Sequence, residues 1–422
     1  MAASIWPSLI VIFCFSTLIQ SSPFFPATNR DAPGPDRGGG GDSVRVSLTR
    51  NPNYAPNGPA VYYRALKKWG MTVPGQFAGH AAQKDYGDGE VSAKNQPDDK
   101  EYLSSVGIGT PLQWVNMDFD SGSSDFWVWS PNTAGGAVGN RSIYNPGASS
   151  TAQLVPNTTW HIMYGDGSEA YGNVYNDTVS IANISIPGSM IENAQFVSMS
   201  LAQDQVLSGV AGLAYNLSSE VYPSKPTLLQ SLAPLLSKNL FTVDLKWHDA
   251  GEYNFGRIDD TRIAGNDYIH YTPLLDDASF WQFNFTGFNV GGDNKWYISS
   301  WEAIADTGTT LLLLDDGICK MYYAAVPGSV YNESLFTWTY PCNSTLPDFK
   351  VGFDNGWHAT IPGKYMNFTV VDMSMPGWTC MGGLQSDQGQ PFSILGDIFL
   401  KAVFAVFDID NKRVGFSSKN LN

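Results

Sequence analysis

The chain has 422 residues, 43% apolar and 13% aromatic, enough for two or three domains with a sizeable core. Its formal net charge of −15 argues against a nucleic-acid binder, which needs cations to meet phosphates. The charge is unevenly placed: Ser22–Tyr86 carries a net +4 and the rest of the chain −19, so a basic segment precedes an acidic body.

In chain order, residues 1–21 are expected to be a secretory signal, because the apolar run IWPSLIVIFCFSTLI is followed by the small residues of QSSP. The run is short and contains Pro and Ser, which argues against a membrane anchor. Residues 22–86 are expected to form a removable leader that docks on its own acidic body. Its Pro/Gly-rich start, Ser22–Ser43, gives way to a strand-like VRVSLTR and then to GPAVYYRALKKWG. The latter predicts a helix with Pro59 in its first turn and Tyr62, Leu66 and Trp69 on one face. A polar linker follows, and the mature chain is expected to begin between Tyr86 and Lys100. From Tyr102 onward, short alternating or β-branched runs are punctuated by Gly, Asn, Asp and Pro, the pattern of an all-β body. Two short helices are expected, at KPTLLQSLAPLL and GICKMYYAAV.

Within that body two motifs recur. NMDFDSGSSDFWVWS places Asp120 after apolar residues and before Ser-Gly-Ser-Ser; WEAIADTGTTLLLLDD does the same for Asp306 with Thr-Gly-Thr-Thr. GVAGLAY follows the first and SILGDIFL the second, so Gly212 lies 92 residues after Asp120 and Gly396 lies 90 after Asp306. A single Asp-Ser-Gly is usually only a turn. Two matched copies at nearly equal spacing imply a duplicated lobe, with a period too long for a solenoid. The lobes are expected to span 87–248 and 249–422.

Two like loops can bring Asp120 and Asp306 to one symmetric point. Two carboxyls in contact cannot both ionise cheaply, so they share a proton and titrate together. The ionised member can take a proton from water while the protonated member polarises a carbonyl, so that water attacks an amide directly. Ser121 and Thr307 can tie the loops together, Gly122 and Gly308 allow close backbone approach, and Ser123 and Thr309 can orient the carboxylates.

D-[ST]-G-[ST]-[ST] twice, each followed by apolar-apolar-Gly, resembles the pepsin-like aspartic endopeptidases over about Tyr102–Lys419. DFDSGSSDFWV, YGDGS, ADTGTTLL, YPCNSTLPDF and LGDIFLKAVFAVFD are most similar to the secreted fungal members of the endothiapepsin, penicillopepsin and aspergillopepsin type. Ser121 stands where Thr is usual. The resemblance implies a bilobal fold with the cleft between two β-barrel-like lobes, polypeptide substrates, a monomer, no cofactor and no metal. It implies a flap in WHIMYGDGSEAYGNVYNDTVSI, with Tyr164 packing over the substrate and bonding the Trp127 indole, and with Gly165, Asp166, Gly167 and Ser168 meeting a bound peptide. Asp166 suggests acceptance of Lys before the cut bond. It also implies that a leader lysine, best matched by Lys68, lies over the two acids.

Three cysteines remain after the signal: Cys319, Cys342 and Cys380. In an oxidising compartment one disulfide and one free thiol are expected, and spacing alone does not choose the pair. The resemblance selects Cys342–Cys380 and leaves Cys319 unpaired in a helix. Nine Asn-x-Ser/Thr sequons, at Asn140, Asn157, Asn176, Asn183, Asn216, Asn284, Asn332, Asn343 and Asn367, fit a secreted glycoprotein, with vacuolar sorting as the other destination. The five histidines show no metal spacing, and neither a Gly-x-Ser-x-Gly elbow nor a His-Glu-x-x-His motif occurs. The alternatives are a catalytically silent binding protein of the same fold, disfavoured because both acids and Tyr164 are present, and a two-carboxylate glycosidase, which does not require matched loops.

Overall fold

The computed structural model describes residues 43–50, 57–71, 73, 102–136, 138–139, 141–163, 169–199, 201–202, 206–292, 295–373 and 378–421. The expected signal, the linker after residue 73 and the flap tip Tyr164–Ser168 lie outside the described residues.

The body is built from strands. In its first half, the strand Gln113–Asp120 runs parallel to Gly209–Gly212, which pairs antiparallel with Phe126–Val128. Phe126–Val128 is parallel to Ile184–Val197, which pairs with Glu169–Ile181. Tyr102–Ile108 pairs with both Gln113–Asp120 and Glu169–Ile181, so these strands close into a barrel. The second half repeats the central arrangement. Tyr297–Ala305 runs parallel to Phe392–Leu395, which is antiparallel to Leu312–Leu314. The repeated apolar-apolar-Gly motif is therefore the strand that inserts between the two arms of each acid-bearing turn, which is why both copies need it. Alternating side chains fill each interior, with Val115, Met117 and Phe119 buried in one half and Ala303, Ile304 and Ala305 in the other. This is the all-β, bilobal pepsin-like fold that the motifs implied.

The strand Val44–Arg50 pairs through residues 44–47 with Glu252–Phe255 and through residues 48–50 with Tyr102–Ser104, so it lies between the two halves of one sheet. Its alternation buries Val44, Val46 and Leu48. The helix Gly58–Lys68 begins at Asn57, whose side chain accepts from the Ala60 backbone N–H, and Pro59 sits where no intrahelical donor is missed. It buries Tyr62, Ala65 and Leu66. The two later helices form at Leu228–Leu232 and Asp316–Ala324, the first extended by a 3-10 turn over Ala233–Leu235. A further short helix, Asp397–Leu400, follows Gly396. Cys342 is bonded to Cys380, and Cys319 is a buried thiol whose Sγ–H donates to the Leu314 carbonyl. No described helix is long and apolar enough to cross a membrane.

Candidate active site

Asp120 ends one strand and Asp306 directly follows another, so each acid stands at the mouth of a tight turn. The turns face each other and exchange bonds. The Ser121 backbone N–H donates to Thr307 Oγ1 at 2.9 Å, and the Thr307 N–H donates to Ser121 Oγ at 2.9 Å. Ser121 Oγ donates onward to the Ala305 carbonyl at 3.0 Å and Thr307 Oγ1 to the Phe119 carbonyl at 2.6 Å. Removing either hydroxyl would leave a buried N–H and a buried carbonyl without these partners, which explains why the residues after the acids are Ser and Thr.

Each carboxyl is held on both oxygens. Gly122 N–H and Ser123 Oγ donate to Asp120 at 2.8 and 2.6 Å; Gly308 N–H and Thr309 Oγ1 donate to Asp306 at 2.9 and 2.5 Å. The two glycines are sterically required. A Cβ on Gly122 would lie 2.5 Å from Asp306 Oδ1, and one on Gly308 would lie 2.2 Å from Asp120 Oδ1. Each loop's glycine thus makes room for the other loop's acid.

The Lys68 ammonium sits between the acids. It donates to Asp120 Oδ1 at 2.8 Å and to Asp306 Oδ1 and Oδ2 at 3.1 and 2.9 Å. Burial opposes its charge, but the two carboxylates outweigh burial and hold its pKa above the usual lysine value. The acids respond unequally. Burial raises Asp120, but Lys68 and the Ser123 hydroxyl prevail and hold its carboxyl below the usual range. Burial and the neighbouring Asp120 charge push Asp306 up despite Lys68. With Lys68 in place, one carboxyl of the pair is thus held low and the other high.

The sequence-derived residues that the fold brings together are Lys68, Asp120, Ser121, Gly122, Ser123, Asp306, Thr307, Gly308 and Thr309. Trp127 is buried nearby in sequence and stacks on Trp160 with centroids 6.3 Å apart. The strands flanking the flap tip pair in antiparallel register, with Met163 opposite Glu169. Tyr164, Gly165, Asp166, Gly167 and Ser168 lie outside the described residues.

Two features escaped the sequence reading. The Trp69 indole N–H donates to Thr309 Oγ1 at 3.4 Å, and its ring packs edge-on against Phe280 and Phe392, with centroids 5.0 and 5.6 Å away. The apolar face of the helix pointed to burial but not to a place beside Asp306. Asp125 and Glu192 are both buried, joining the strand after the first turn to the strand Ile184–Val197. Asp125 Oδ1 accepts from the Glu220 N–H at 2.7 Å and Glu192 Oε1 from the Phe126 N–H at 3.4 Å. Burial pushes Asp125 up to about 6 and Glu192 well above the usual range. The signal was an acid directly before the apolar run FWV.

The family model described as eukaryotic aspartyl protease matches residues 101–419. The chain is 38% identical to endothiapepsin of Cryphonectria parasitica over 379 residues, covering 88% of this chain and 89% of that protein. It is 36% identical to podosporapepsin of Podospora anserina, covering 98% and 99% of the two chains. With penicillopepsin-1 of Talaromyces stipitatus the identity is 40%, over 86% of this chain and 89% of the relative. With two acid-bearing turns exchanging hydrogen bonds and that extent of likeness, this chain belongs to the eukaryotic aspartyl protease family, the pepsin-like aspartic endopeptidases.

Proposed function

We propose that the chain is made as an inactive, secreted precursor and, once its leader is removed in acid, hydrolyses peptide bonds of proteins with a preference for hydrophobic side chains beside the cut. The observation that carries this reading is the Lys68 ammonium seated between Asp120 and Asp306. It occupies the point where the two turns converge and where a substrate carbonyl and a water would have to sit.

In the mature enzyme Lys68 is gone and the pair shares one proton, as is well known for this family; burial and the Asp120 charge, which do not depend on Lys68, favour Asp306 as its holder. Asp120, the ionised member, takes a proton from water. The water oxygen attacks the peptide carbonyl carbon while Asp306, the member held high, gives its proton to the carbonyl oxygen. The tetrahedral diol then collapses: Asp306, now ionised, takes back a hydroxyl proton, Asp120 gives the nitrogen the proton it took from water, and the C–N bond breaks. Ser121 and Thr307 fix the distance between the acids, and Ser123 and Thr309 fix their orientation. Pre-set donors of this kind need no rearrangement during reaction. Trp69 in its seat of Phe280 and Phe392 supports the hydrophobic preference, since a substrate side chain would take its place.

The leader span 22–86 and the body from residue 87 follow the same reading. Lys68 binds only an ionised dyad. The leader's hold is therefore present above the carboxyls' leader-free pKa values and is lost as pH falls through the depressed value of Asp120. A tip residue such as Asp166 pairing with a substrate ammonium would add acceptance of Lys before the cut. The test is digestion of a denatured protein near pH 3–4, with and without a statine-containing inhibitor. Inhibitor-sensitive cleavage is expected; no cleavage by the processed chain would rule out this function.

A further inference from the structure

Leader helix residue Tyr62 is fully buried, although its ring belongs to a segment that this reading has leaving the protein. Its hydroxyl is matched in both senses. It donates to the Ser386 carbonyl at 2.7 Å and accepts from Gln388 Nε2 at 2.9 Å. Tyr331 also lies beside the Gln388 side chain, and Cys319 of the helix Asp316–Ala324 lies close by. The body therefore presents one acceptor and one donor spaced for a phenol.

The loop that carries these groups holds its own shape. Asp387 N–H donates to the Leu314 carbonyl at 2.9 Å, Gln388 N–H to Ser386 Oγ at 2.8 Å, and Gly389 N–H to Asp387 Oδ1 at 3.0 Å. Gln388 adopts φ 54°, a left-handed backbone, and its side-chain amide meets the phenol. None of these bonds involves the leader. A pocket whose polar groups are fixed by the body is preformed and outlasts its first occupant.

We propose that the Ser386–Gln388 loop forms a second recognition pocket, specific for the 4-hydroxyphenyl group of a tyrosine, which the leader fills in the precursor and a substrate tyrosine fills in the mature enzyme. This rests on the leader reading above. Tyr62 precedes Lys68 by six residues of helix, about 9 Å along the axis. An extended peptide covers that distance in about three residues. The pocket therefore reads a side chain about three residues from the bond being cut, on one side of it.

The test has two arms, both on the mature enzyme after acid removal of the leader. In the first, synthetic peptides spanning residues 43–71, with Tyr62 or with Tyr62→Phe, are titrated at pH 5.5, where binding needs no hydrolysis. Losing two hydrogen bonds should weaken binding about tenfold, and Gln388→Ala, which removes one of the two bonds, should shrink that difference to about threefold. Equal affinities for the two peptides would overturn the pocket. In the second arm, one tyrosine is moved through five positions on each side of the cut bond, each peptide paired with its phenylalanine version. One position, about three residues out, should favour tyrosine in kcat/KM by about fivefold to tenfold, and Gln388→Ala should bring that ratio towards one. Ratios near one at every position in the wild type would overturn the substrate assignment. If no peptide were cut although the leader peptides differed in affinity, the protease reading would fail and the pocket would stand. Should Gln388→Ala not fold, Tyr62→Phe in the full chain decides: leader release at the wild-type rate counts against the pocket, and release several-fold faster supports it.

Discussion

The segments Asp120–Val128 and Asp306–Leu314 are the same turn built twice, and they part company five residues after the acid. The first has Asp125 there and the second has Leu311, both buried. Around Asp306 the return strand is wholly apolar, Leu312–Leu314, and nothing in it titrates. Around Asp120 the return strand begins with a carboxyl facing Glu192, with Glu220 and Asp120 as further acidic neighbours. Equivalent positions thus give one return strand an apolar side chain and the other a carboxyl that must keep its proton. The acids themselves show the same divergence. Asp306 is fully buried and held high, whereas Asp120 is 6% exposed and held low.

The strongest way to break the comparison is to remove one acid at a time. Asp120→Asn and Asp306→Asn should each lower kcat on a peptide substrate about 10³-fold or more, with unchanged far-UV circular dichroism once the leader has been removed by an added protease. Near-wild-type activity in either variant would show that the turns do not act as a pair.

Next in size is the acid in one return strand. Asp125 has a higher pKa in the fold than in the unfolded chain, so the fold keeps a proton that the unfolded chain releases. That contribution is present below about pH 4 and declines as pH rises through about 6, a loss of about 3 kcal/mol by neutrality. Urea unfolding at pH 4 and pH 7, in the Asp306→Asn background to suppress self-digestion, should show this slope. Asp125→Asn should reduce the slope by that amount, leaving the share of Glu192 and Asp387, which burial also raises, and Leu311→Val, its counterpart, should shift both values equally.

The reciprocal bonds offer a finer test. Ser121→Ala and Thr307→Ala each strand a backbone N–H and should cost about 1–3 kcal/mol. Thr307→Ser keeps the hydroxyl that the first turn already uses and should cost well under half of that. A Thr307→Ser variant as unstable as Thr307→Ala would show that the methyl group, not the bond, matters. The smallest expected effect is on latency. Lys68→Met removes the charge shared between the turns and should raise the pH of half-maximal leader release by about one unit, followed on gels between pH 3 and 7. An unchanged profile would remove Lys68 from the lock.

The turns were legible in the sequence because their chemistry is local. An acid, a hydroxyl, a glycine and a hydroxyl occupy consecutive positions, and the second copy removes the ambiguity of the first. The strands were legible for the same reason, since alternation is written residue by residue. The helix Gly58–Lys68 showed its buried face, and the basic segment beside an acidic body suggested docking. Resemblance, not spacing, singled out Lys68 and the Cys342–Cys380 bond. What tertiary structure alone decided concerns groups far apart in the chain. Gly122 and Gly308 are needed because each faces an acid 184 or 188 residues away. Tyr62 meets Ser386, 324 residues on, and Asp125 meets a strand that begins at Ile184. Above all, two nearly identical motifs hold their protons differently. A motif names the groups present, but burial, an ammonium and a neighbouring charge set the cost of ionising each one, and those arrive only when the chain has folded.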